Sequence, residues 1–209
     1  MLHLETVEPN TFSILKQINE IDIFHNFSLV EGTALSLKFG HRISIDLDFF
    51  SNDKFVNADI IKVLKEVFGD KFEYEPSSNE HFGIFCYIDK VKIDIVGFPH
   101  ERIAPIEIID NIKFYNNQDI AAMKIQAILG RGKKKDFWDL AELLKHYSLE
   151  DIINWHKQKY KGQILAIGIP TALTYFDDAD SSENPICLQG HTWQQIKRDI
   201  SQKVNDYLK

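Results

Sequence analysis

Cysteine, long apolar runs and secretion signals are scarce or missing in this sequence of 209 residues. The two cysteines, Cys86 and Cys187, follow no metal-ligand spacing, and we interpret Cys86, within a strand-like run, as a small buried residue. No apolar stretch approaches the roughly 20 residues that span a bilayer. The N-terminus has neither the basic nor the apolar region of a signal peptide. We therefore expect a cytoplasmic protein with no membrane partner.

The short motifs of several enzyme classes are missing too. Neither the phosphate-binding loop GxxxxGK[ST] nor the nucleophile motif GxSxG occurs. Six histidines show no metal-ligand spacing, so we expect surface or capping roles for His25, His81, His100, His146, His156 and His191. The formal net charge of -7 does not indicate a general nucleic-acid coat protein, so a polyanion would have to meet a local basic patch.

The stretch 32–51, GTALSLKFGHRISIDLDFFS, contains the first candidate site. Polar and apolar residues alternate from 44 to 49, which predicts a half-buried strand with Ser44, Asp46 and Asp48 on one face. Neighbouring carboxylates repel each other unless a cation lies between them, and Mg²⁺ is usually held by one or two carboxylates plus substrate phosphates. The alternative is a solvated acidic face. An apolar strand, a turn at Gly32-Thr33 and a short helix precede the acidic strand, a layout suited to holding phosphates beside a metal.

The hydrophobic periodicity predicts an α+β protein with two parts. In residues 1–116 we predict helices at 11–25 and 57–68 and strands at 27–30, 71–75, 81–88, 91–98 and 112–115. Residues 117–209 are predicted to form a helical domain, with helices at 118–129, 136–147, 149–160, 163–176 and 191–208. The polar segment 177–190 is predicted to be an exposed loop.

A third carboxylate lies on the polar face of strand 91–98. If this strand neighbours the first acidic strand, Asp94 points to the same side as Asp46 and Asp48. Two-metal sites use such carboxylates to clamp the attacking and leaving oxygens of a displacement. The alternative is a surface Asp94 that pairs with Lys92.

Basic residues are concentrated between positions 124 and 135. They are Lys124, Arg131, Lys133, Lys134 and Lys135. We expect Lys124 to emerge from the middle of its helix and Arg131 to lie on a tight glycine turn, with Asp136 as the N-cap of the next helix. In an acidic protein this cluster predicts a phosphate contact. The alternative is a solvated lysine cluster near a helix C-terminus.

Three blocks of the sequence together resemble a known family. GTALSL…HRISIDLDFF, KIDIVG and DIAAMKIQAILGRGKKKDFWDL are similar, in this order and over about residues 29–145, to the AbiEii/AbiGii toxin family of nucleotidyltransferases in the polymerase-β-like superfamily. The family usually opens with Gly-Gly-Thr-Ala-Leu, and here Glu31 replaces the first glycine. The resemblance implies a polymerase-β-like mixed sheet flanked by helices, followed by a C-terminal helical bundle.

The resemblance also implies roles by position. Asp46 and Asp48 would bind two Mg²⁺ or Mn²⁺ ions, and Asp94 would complete one metal site and help deprotonate the acceptor hydroxyl. Lys124, as a catalytic residue, and Arg131 would neutralise the triphosphate of an NTP. The remaining nucleotide-binding candidates are Gly32, Thr33, Ser44, Lys135 and Asp139, of which Asp139 would orient Arg131 or Lys135 from behind.

The implied reaction transfers an NMP from an NTP to an acceptor such as tRNA or another RNA. In the family such enzymes often act as the toxin of a toxin–antitoxin or phage-defence system, which implies a cognate antitoxin as partner. Two alternatives stay open: a catalytically silent nucleotide-binding module, and an antitoxin-binding module.

Overall fold

In the computed structural model, which describes residues 1–76 and 82–209, the strands form one mixed sheet. The strands are β1 (Ser28–Leu29), β2 (Leu47–Ser51), β3 (Phe72–Tyr74), β4 (Gly83–Ile88), β5 (Val91–Gly97), β6 (Glu107–Ile109) and β7 (Ile112–Phe114). Across the described sheet their order is β3-β4-β5-β2-β1-β7-β6. The pairs β2–β5 and β1–β7 are parallel and the other pairs are antiparallel.

Helices flank this sheet and continue beyond it. They are α1 (Pro9–Glu20), α2 (Glu31–Phe39), α3 (Asn57–Phe68), α4 (Asn117–Gly130), α5 (Lys134–Leu143), α6 (Leu149–Lys159), α7 (Ile169–Leu173), α8 (Asp177–Asp180) and α9 (Trp193–Tyr207). Short 3-10 helices lie at Leu4–Thr6, Asp22–Phe24 and Gly69–Lys71. Helix α4 packs against α5 and α6, and α2 contacts both α4 and α5. The predicted α+β class is thus confirmed.

Alternating burial explains how the central strands position the site. In β2, Leu47 and Phe49 are buried, and in β5, Ile93 and Ile95 are fully buried. The intervening side chains of both strands therefore lie on the opposite face of the sheet. The hairpin β4–β5 turns through Asp89-Lys90, both with positive φ, as a two-residue turn of this kind requires.

One apolar cluster runs through both halves of the chain. It joins Leu35 of α2, Ile93 of β5, Ile120 of α4 and Leu140 of α5. The sheet and the following helices therefore share a core, and the division into 1–116 and 117–209 stays a prediction.

Several predicted bounds were wrong in the first half. The acidic strand begins at Leu47 rather than at Ser44, and Ile45 is 62% exposed because the chain before Leu47 is not paired in the sheet. The strand β6 was missed, although Asp110-Asn111, both at positive φ, form its hairpin turn. The predicted strand 81–88 starts at Gly83 within the described residues, and His81 lies outside them.

The helical half also differs from the prediction at several points. The predicted helix 163–176 is reduced to α7, and the predicted loop 177–190 contains α8. That loop is also anchored through its backbone, since Cys187 and Arg42 form an isolated antiparallel β-bridge. His156 is buried and its Nε2 lies 2.8 Å from Oε1 of Gln126, so the surface role predicted for it was wrong.

A buried ion pair ties the helical half to the loop between β5 and β6. Asp119 of α4 accepts hydrogen bonds from the backbone N–H groups of Ile103 and Ala104, and Nζ of Lys159 in α6 lies 2.6 Å from its Oδ1. Both charged side chains are fully buried. A buried charge without its partner is costly, so each residue depends on the other.

We expect Asp119→Ala to lower the free energy of unfolding by about 3–5 kcal/mol, because Lys159 would keep a buried and unpaired charge. Urea unfolding at neutral pH measures this loss. Lys62→Ala is the control, since the Lys62–Glu66 pair is exposed and its loss should cost less than about 0.5 kcal/mol. A loss for Asp119→Ala no larger than that of the control would contradict the expectation.

Candidate active site

Asp48 and Asp94 are direct neighbours on adjacent parallel strands. They are Cα partners in the register of β2 and β5. Because paired residues of adjacent strands point to the same face, both carboxylates lie on one side of the sheet. Nζ of Lys92 lies 2.5 Å from Oδ2 of Asp94. Oδ1 of Asp94 is buried and has no hydrogen-bond partner among the described residues.

Asp46 lies just before β2 and faces the same cavity as Asp48 and Asp94. Its carboxylate is 3.9 Å from Nζ of Lys135. The segment in front of the strand is held by Thr33, whose hydroxyl donates to the Asp46 carbonyl oxygen and accepts from Oγ of Ser44, 2.8 Å away. Thr33 is buried and its hydroxyl is occupied in this way, so its visible role is to shape the acidic segment.

These side chains line a cavity of about 230 Å³, here called the front cavity. Its acidic lining residues are Glu31, Asp46, Asp48 and Asp94, and its basic ones are Arg42, Lys92, Lys124, Arg131 and Lys135. Gly32 and Ser44 also line it. Carboxylates and basic side chains thus line the same cavity, which suits a ligand that consists of a polyphosphate and a cation.

Behind the front cavity lies a fully buried carboxylate, Asp139 of α5. It accepts two hydrogen bonds from Arg42, at 2.6 and 2.9 Å, and Nε2 of His41 lies 2.8 Å from its Oδ1. Nζ of Lys124 is 3.0 Å from its Oδ2. Burial alone would raise the pKa of Asp139, but Arg42 and Lys124 hold this pKa well below its usual range.

Lys124 is buried, with an exposed fraction of 1%, rather than emerging from the middle of α4 as predicted. Besides Asp139, its Nζ contacts Oε2 of Glu31 at 2.5 Å and Oδ1 of Asp136 at 3.4 Å. Burial alone would lower the pKa of Lys124, but Glu31, Asp139 and Asp136 together raise it. The lysine is therefore a fixed cation at the back of the front cavity.

Asp136 is the third residue of α5 and not its N-cap, which is Lys133. Its buried carboxylate accepts two hydrogen bonds from Arg131, both at 3.2 Å. The half-exposed Arg131 follows the end of α4 and extends into the front cavity. Asp136 thus does the positioning of Arg131 that the sequence-based prediction assigned to Asp139.

Glu31 and Gly32 form the first turn of α2, where a glycine turn before the helix was predicted. Glu31 has φ +60, a conformation that favours glycine, and its carboxylate reaches Lys124. At Gly32 a side chain would overlap Nη2 of Arg42. The glycine therefore leaves room for the buried guanidinium, and this is the contact that the structure gives it.

The pKa of Asp48 is raised to about 7. Burial is the main cause, and the negative charges of Glu31 and Asp94 add to it, against the smaller opposing effects of Lys124 and Lys92. The ionised carboxylate thus has less compensating positive charge than it needs. Strong pKa shifts with a specific charge partner are typical of functional sites.

The donor set of the front cavity fits a divalent cation. Carboxylate oxygens are the ligands that Mg²⁺ and Mn²⁺ take up, and both the raised pKa of Asp48 and the unpartnered oxygen of Asp94 mark a local lack of positive charge. As the side chains stand, no three His, Cys, Asp or Glu groups within 1–76 and 82–209 are close enough to hold a metal ion. Instead, Lys92 pairs with Asp94, and Lys135 pairs with Asp46.

The structure brings most of the predicted site residues to one cavity, but Thr33 and Asp139 make contacts other than the predicted ones. Lining the front cavity are Gly32, Ser44, Asp46, Asp48, Asp94, Lys124, Arg131 and Lys135. Thr33 lies beneath it, and Asp139 contacts neither Arg131 nor Lys135. Two contributors were missed by sequence reasoning, Arg42 and the pairing of Glu31 with Lys124. The adjacent pair His41-Arg42, directly before the acidic segment, was the available signal for Arg42.

Comparison with known proteins places this chain in a family. The sequence profile of the family described as "Nucleotidyl transferase AbiEii toxin, Type IV TA system" matches residues 13–206. The chain belongs to the AbiEii nucleotidyltransferase toxin family. It is therefore an enzyme of the nucleotidyltransferase class, as the sequence resemblance implied.

Individual relatives match this AbiEii chain over most of its length. An uncharacterised protein of Aquifex aeolicus (strain VF5) is 29% identical over 200 residues, which cover 93% of this chain and 94% of that protein. The structure of JHP933 from Helicobacter pylori is similar with a TM-score of 0.58 and 17% identity, over 98% of this chain and 92% of that one. MenT4, a nucleotidyltransferase toxin from Mycobacterium tuberculosis H37Rv, is similar with a TM-score of 0.53 and 14% identity, over 95% and 86%. These structural likenesses support the fold.

No helix within the described part of the AbiEii chain combines the length and apolarity needed to cross a bilayer.

The raised pKa of Asp48 predicts a pH-dependent stability. Because the folded state binds this proton more tightly than the unfolded state, stability falls as pH rises from about 4 through about 7 and stays reduced above that. Asp48→Asn removes this loss. From pH 5 to pH 8, we expect the free energy of unfolding of the variant to rise by on the order of 2 kcal/mol relative to that of the wild type.

Urea unfolding of both proteins at pH 5, 6.5 and 8 in the presence of a chelator measures this gain. Equal changes in stability with pH for the two proteins would contradict the assignment.

Proposed function

We propose that this protein is a cytoplasmic, metal-dependent nucleotidyltransferase that moves an NMP from an NTP to a hydroxyl group of an RNA acceptor such as tRNA. The observation that carries the proposal is the register pair Asp48–Asp94, which faces the same cavity as Asp46 and several basic side chains. The family gives the reaction class. The arrangement of charges supports a metal-bound NTP as the substrate. A cognate antitoxin is part of the proposal because the family belongs to toxin–antitoxin systems.

The basic residues of the front cavity suit the triphosphate of an NTP. Arg131 and Lys135 are half-exposed and can turn toward a phosphate, whereas Lys124 is held by carboxylates at the back. Arg131 offers a planar fork that matches phosphate oxygens, and Lys135 offers a compact charge. Together they would neutralise the negative charge that builds on the departing pyrophosphate.

The three carboxylates Asp46, Asp48 and Asp94 would hold one or two Mg²⁺ or Mn²⁺ ions. When bound, such ions neutralise phosphate oxygens and make the acceptor hydroxyl more acidic. Lys92 would have to leave Asp94 for that carboxylate to bind an ion, and its 41% exposed side chain is free to move into solvent. Asp94 would then be placed to accept the proton of the acceptor hydroxyl.

The deciding experiment combines the purified protein with each labelled NTP, total cellular RNA, and either Mg²⁺ or Mn²⁺. We expect Asp94→Asn to reduce NMP transfer by at least about 100-fold, because it removes a charge that acts on the reacting groups. Asp89→Asn is the matched control, since Asp89 lies in the turn of the same β4–β5 hairpin and outside the front cavity.

Labelled RNA on a denaturing gel is the readout, and unchanged circular dichroism spectra establish that both variants fold. NTP binding without transfer to any acceptor would favour a silent nucleotide-binding module. A stable antitoxin complex without nucleotide binding would favour an antitoxin-binding module.

Glu31 should weaken nucleotide binding, because its carboxylate neutralises Lys124 and adds negative charge beside Asp48. We expect Glu31→Gln to lower the Kd of a non-hydrolysable NTP analogue about tenfold, since one charged contact is worth that much in a desolvated site. Calorimetric titration in Mg²⁺ measures the Kd. Glu66→Gln on the exposed face of α3 is the control, and an unchanged or higher Kd for Glu31→Gln would refute this role.

A further inference from the structure

Strand β4 carries exposed aromatic side chains on the sheet face that also bears the carboxylates of the front cavity. Phe85 and Tyr87 are 36% and 47% exposed, whereas the alternate residues Ile84, Cys86 and Ile88 are buried. Single exposed apolar residues are common in proteins. The position of this pair, rather than its exposure, therefore points to a function.

The register of the sheet places these two rings beside the proposed site. Phe85 is the Cα partner of Asp94 in the antiparallel pair β4–β5, and Tyr87 is that of Lys92. Cross-strand partners point to the same face of a sheet, with their Cβ atoms about 5 Å apart. Because Asp94 is also the partner of Asp48, the residues Phe85, Asp94 and Asp48 form one row across three strands. The aromatic surface therefore begins where the carboxylates of the front cavity end.

The charges of the front cavity indicate from which side an acceptor would approach. In an in-line displacement the attacking and leaving oxygens lie on opposite sides of the phosphorus. Lys135, which is a candidate to bind the leaving pyrophosphate, pairs with Asp46 ahead of β2. Strands β2 and β4 lie on opposite sides of β5. With the pyrophosphate on the side of β2, the acceptor hydroxyl would reach Asp94 from the side of β4, across Phe85.

We infer that this face of β4 binds the unpaired end of the acceptor RNA, with one base stacked on Phe85 and another on Tyr87. RNA as the acceptor class comes from the proposed function, on which this inference rests. Bases of single-stranded RNA stack on aromatic side chains, and such stacking is sequence-tolerant because every base has a π-face. Alternate residues of a strand are about 7 Å apart, so each ring can take its own base. Bases inside a duplex stack on each other, so the surface selects an unpaired end.

Charged residues on both sides of Tyr87 set the extent of this surface. Lys92 lies beside Tyr87 and would be released from Asp94 when that carboxylate takes up a cation. Its ammonium group would then be available for a phosphate of the bound strand. On the other side, Glu73 of β3 is the Cα partner of Tyr87 and is exposed. Its negative charge repels a phosphate, so the surface ends at Tyr87.

Fluorescence anisotropy of a short labelled oligoribonucleotide tests this inference without relying on transfer. With the full-length protein in Mg²⁺, we expect saturable binding of the single strand and at least about fivefold weaker binding of the blunt duplex of the same sequence. Phe85→Ala and Tyr87→Ala should each raise the Kd of the single strand at least about fivefold, because each removes a stacking contact. Tyr87→Phe keeps the ring and should leave the Kd within about a factor of two.

Tyr175→Ala is the matched control, because Tyr175 is 51% exposed and lies between α7 and α8, and its Kd should equal that of the wild type. An unchanged Kd for either alanine variant of β4, or equal affinity for the duplex, would overturn the inference. A wild-type dimer that Tyr87→Ala turns into a monomer in light scattering would assign this face to a second copy and would overturn it as well. Should an alanine variant fail to fold, Phe85→Leu and Tyr87→Leu, which keep apolar bulk without the ring, decide the outcome instead.

Transfer measurements separate this inference from the proposed function. If the protein transfers an NMP, Phe85→Ala should raise the KM for the acceptor RNA at least about fivefold and leave the Kd of an NTP analogue unchanged. Transfer with an unchanged KM would overturn the inference and leave the proposed function standing. If no NTP supports transfer, the proposed function fails, and the anisotropy of the variants still decides the RNA contact of β4.

Discussion

The buried carboxylate of Asp139 is the interaction on which the site depends. It lies on α5 and binds Arg42 and His41 from the segment before β2 as well as Lys124 from α4. Arg42 and Lys124 are nearly completely buried, and a buried cation is tolerated only with a well-placed anion. The position of the acidic strand relative to the helical half therefore follows from one carboxylate that serves several partners.

This arrangement divides the charges of the site into two groups. Asp136 and Asp139 neutralise the buried cations from behind, while Asp46, Asp48 and Asp94 face the front cavity. The rear group is well compensated, as the low pKa of Asp139 indicates, and the front group is not, as the raised pKa of Asp48 indicates. The front cavity is thus prepared for a ligand that brings its own positive charge, such as a metal-bound nucleotide.

Short-range patterns predicted part of the fold and site well. The alternation in β5, and in β2 from Leu47 onward, identified which residues face the core, and the Asp89-Lys90 turn identified the β4–β5 hairpin. The helix of Lys124 was found as well, but its burial was not, because the weak amphipathic pattern of α4 does not tell which side faces other helices. Asp136 was predicted as an N-cap because Asp139 follows three residues later, but it lies inside α5 and its carboxylate pairs with Arg131.

By itself, the sequence determined that Asp48 and Asp94 stand on polar strand faces among apolar residues, because the period of a strand is a local property of the backbone. It also determined the family, through three blocks of residues in a fixed order. Only the tertiary structure decided that β2 and β5 are parallel neighbours with Asp48 opposite Asp94, and that Asp139 binds Arg42, 97 positions away. Such pairings depend on which buried charges the packed core brings together, and the free energy of burying a charge is defined only once all its neighbours are in place.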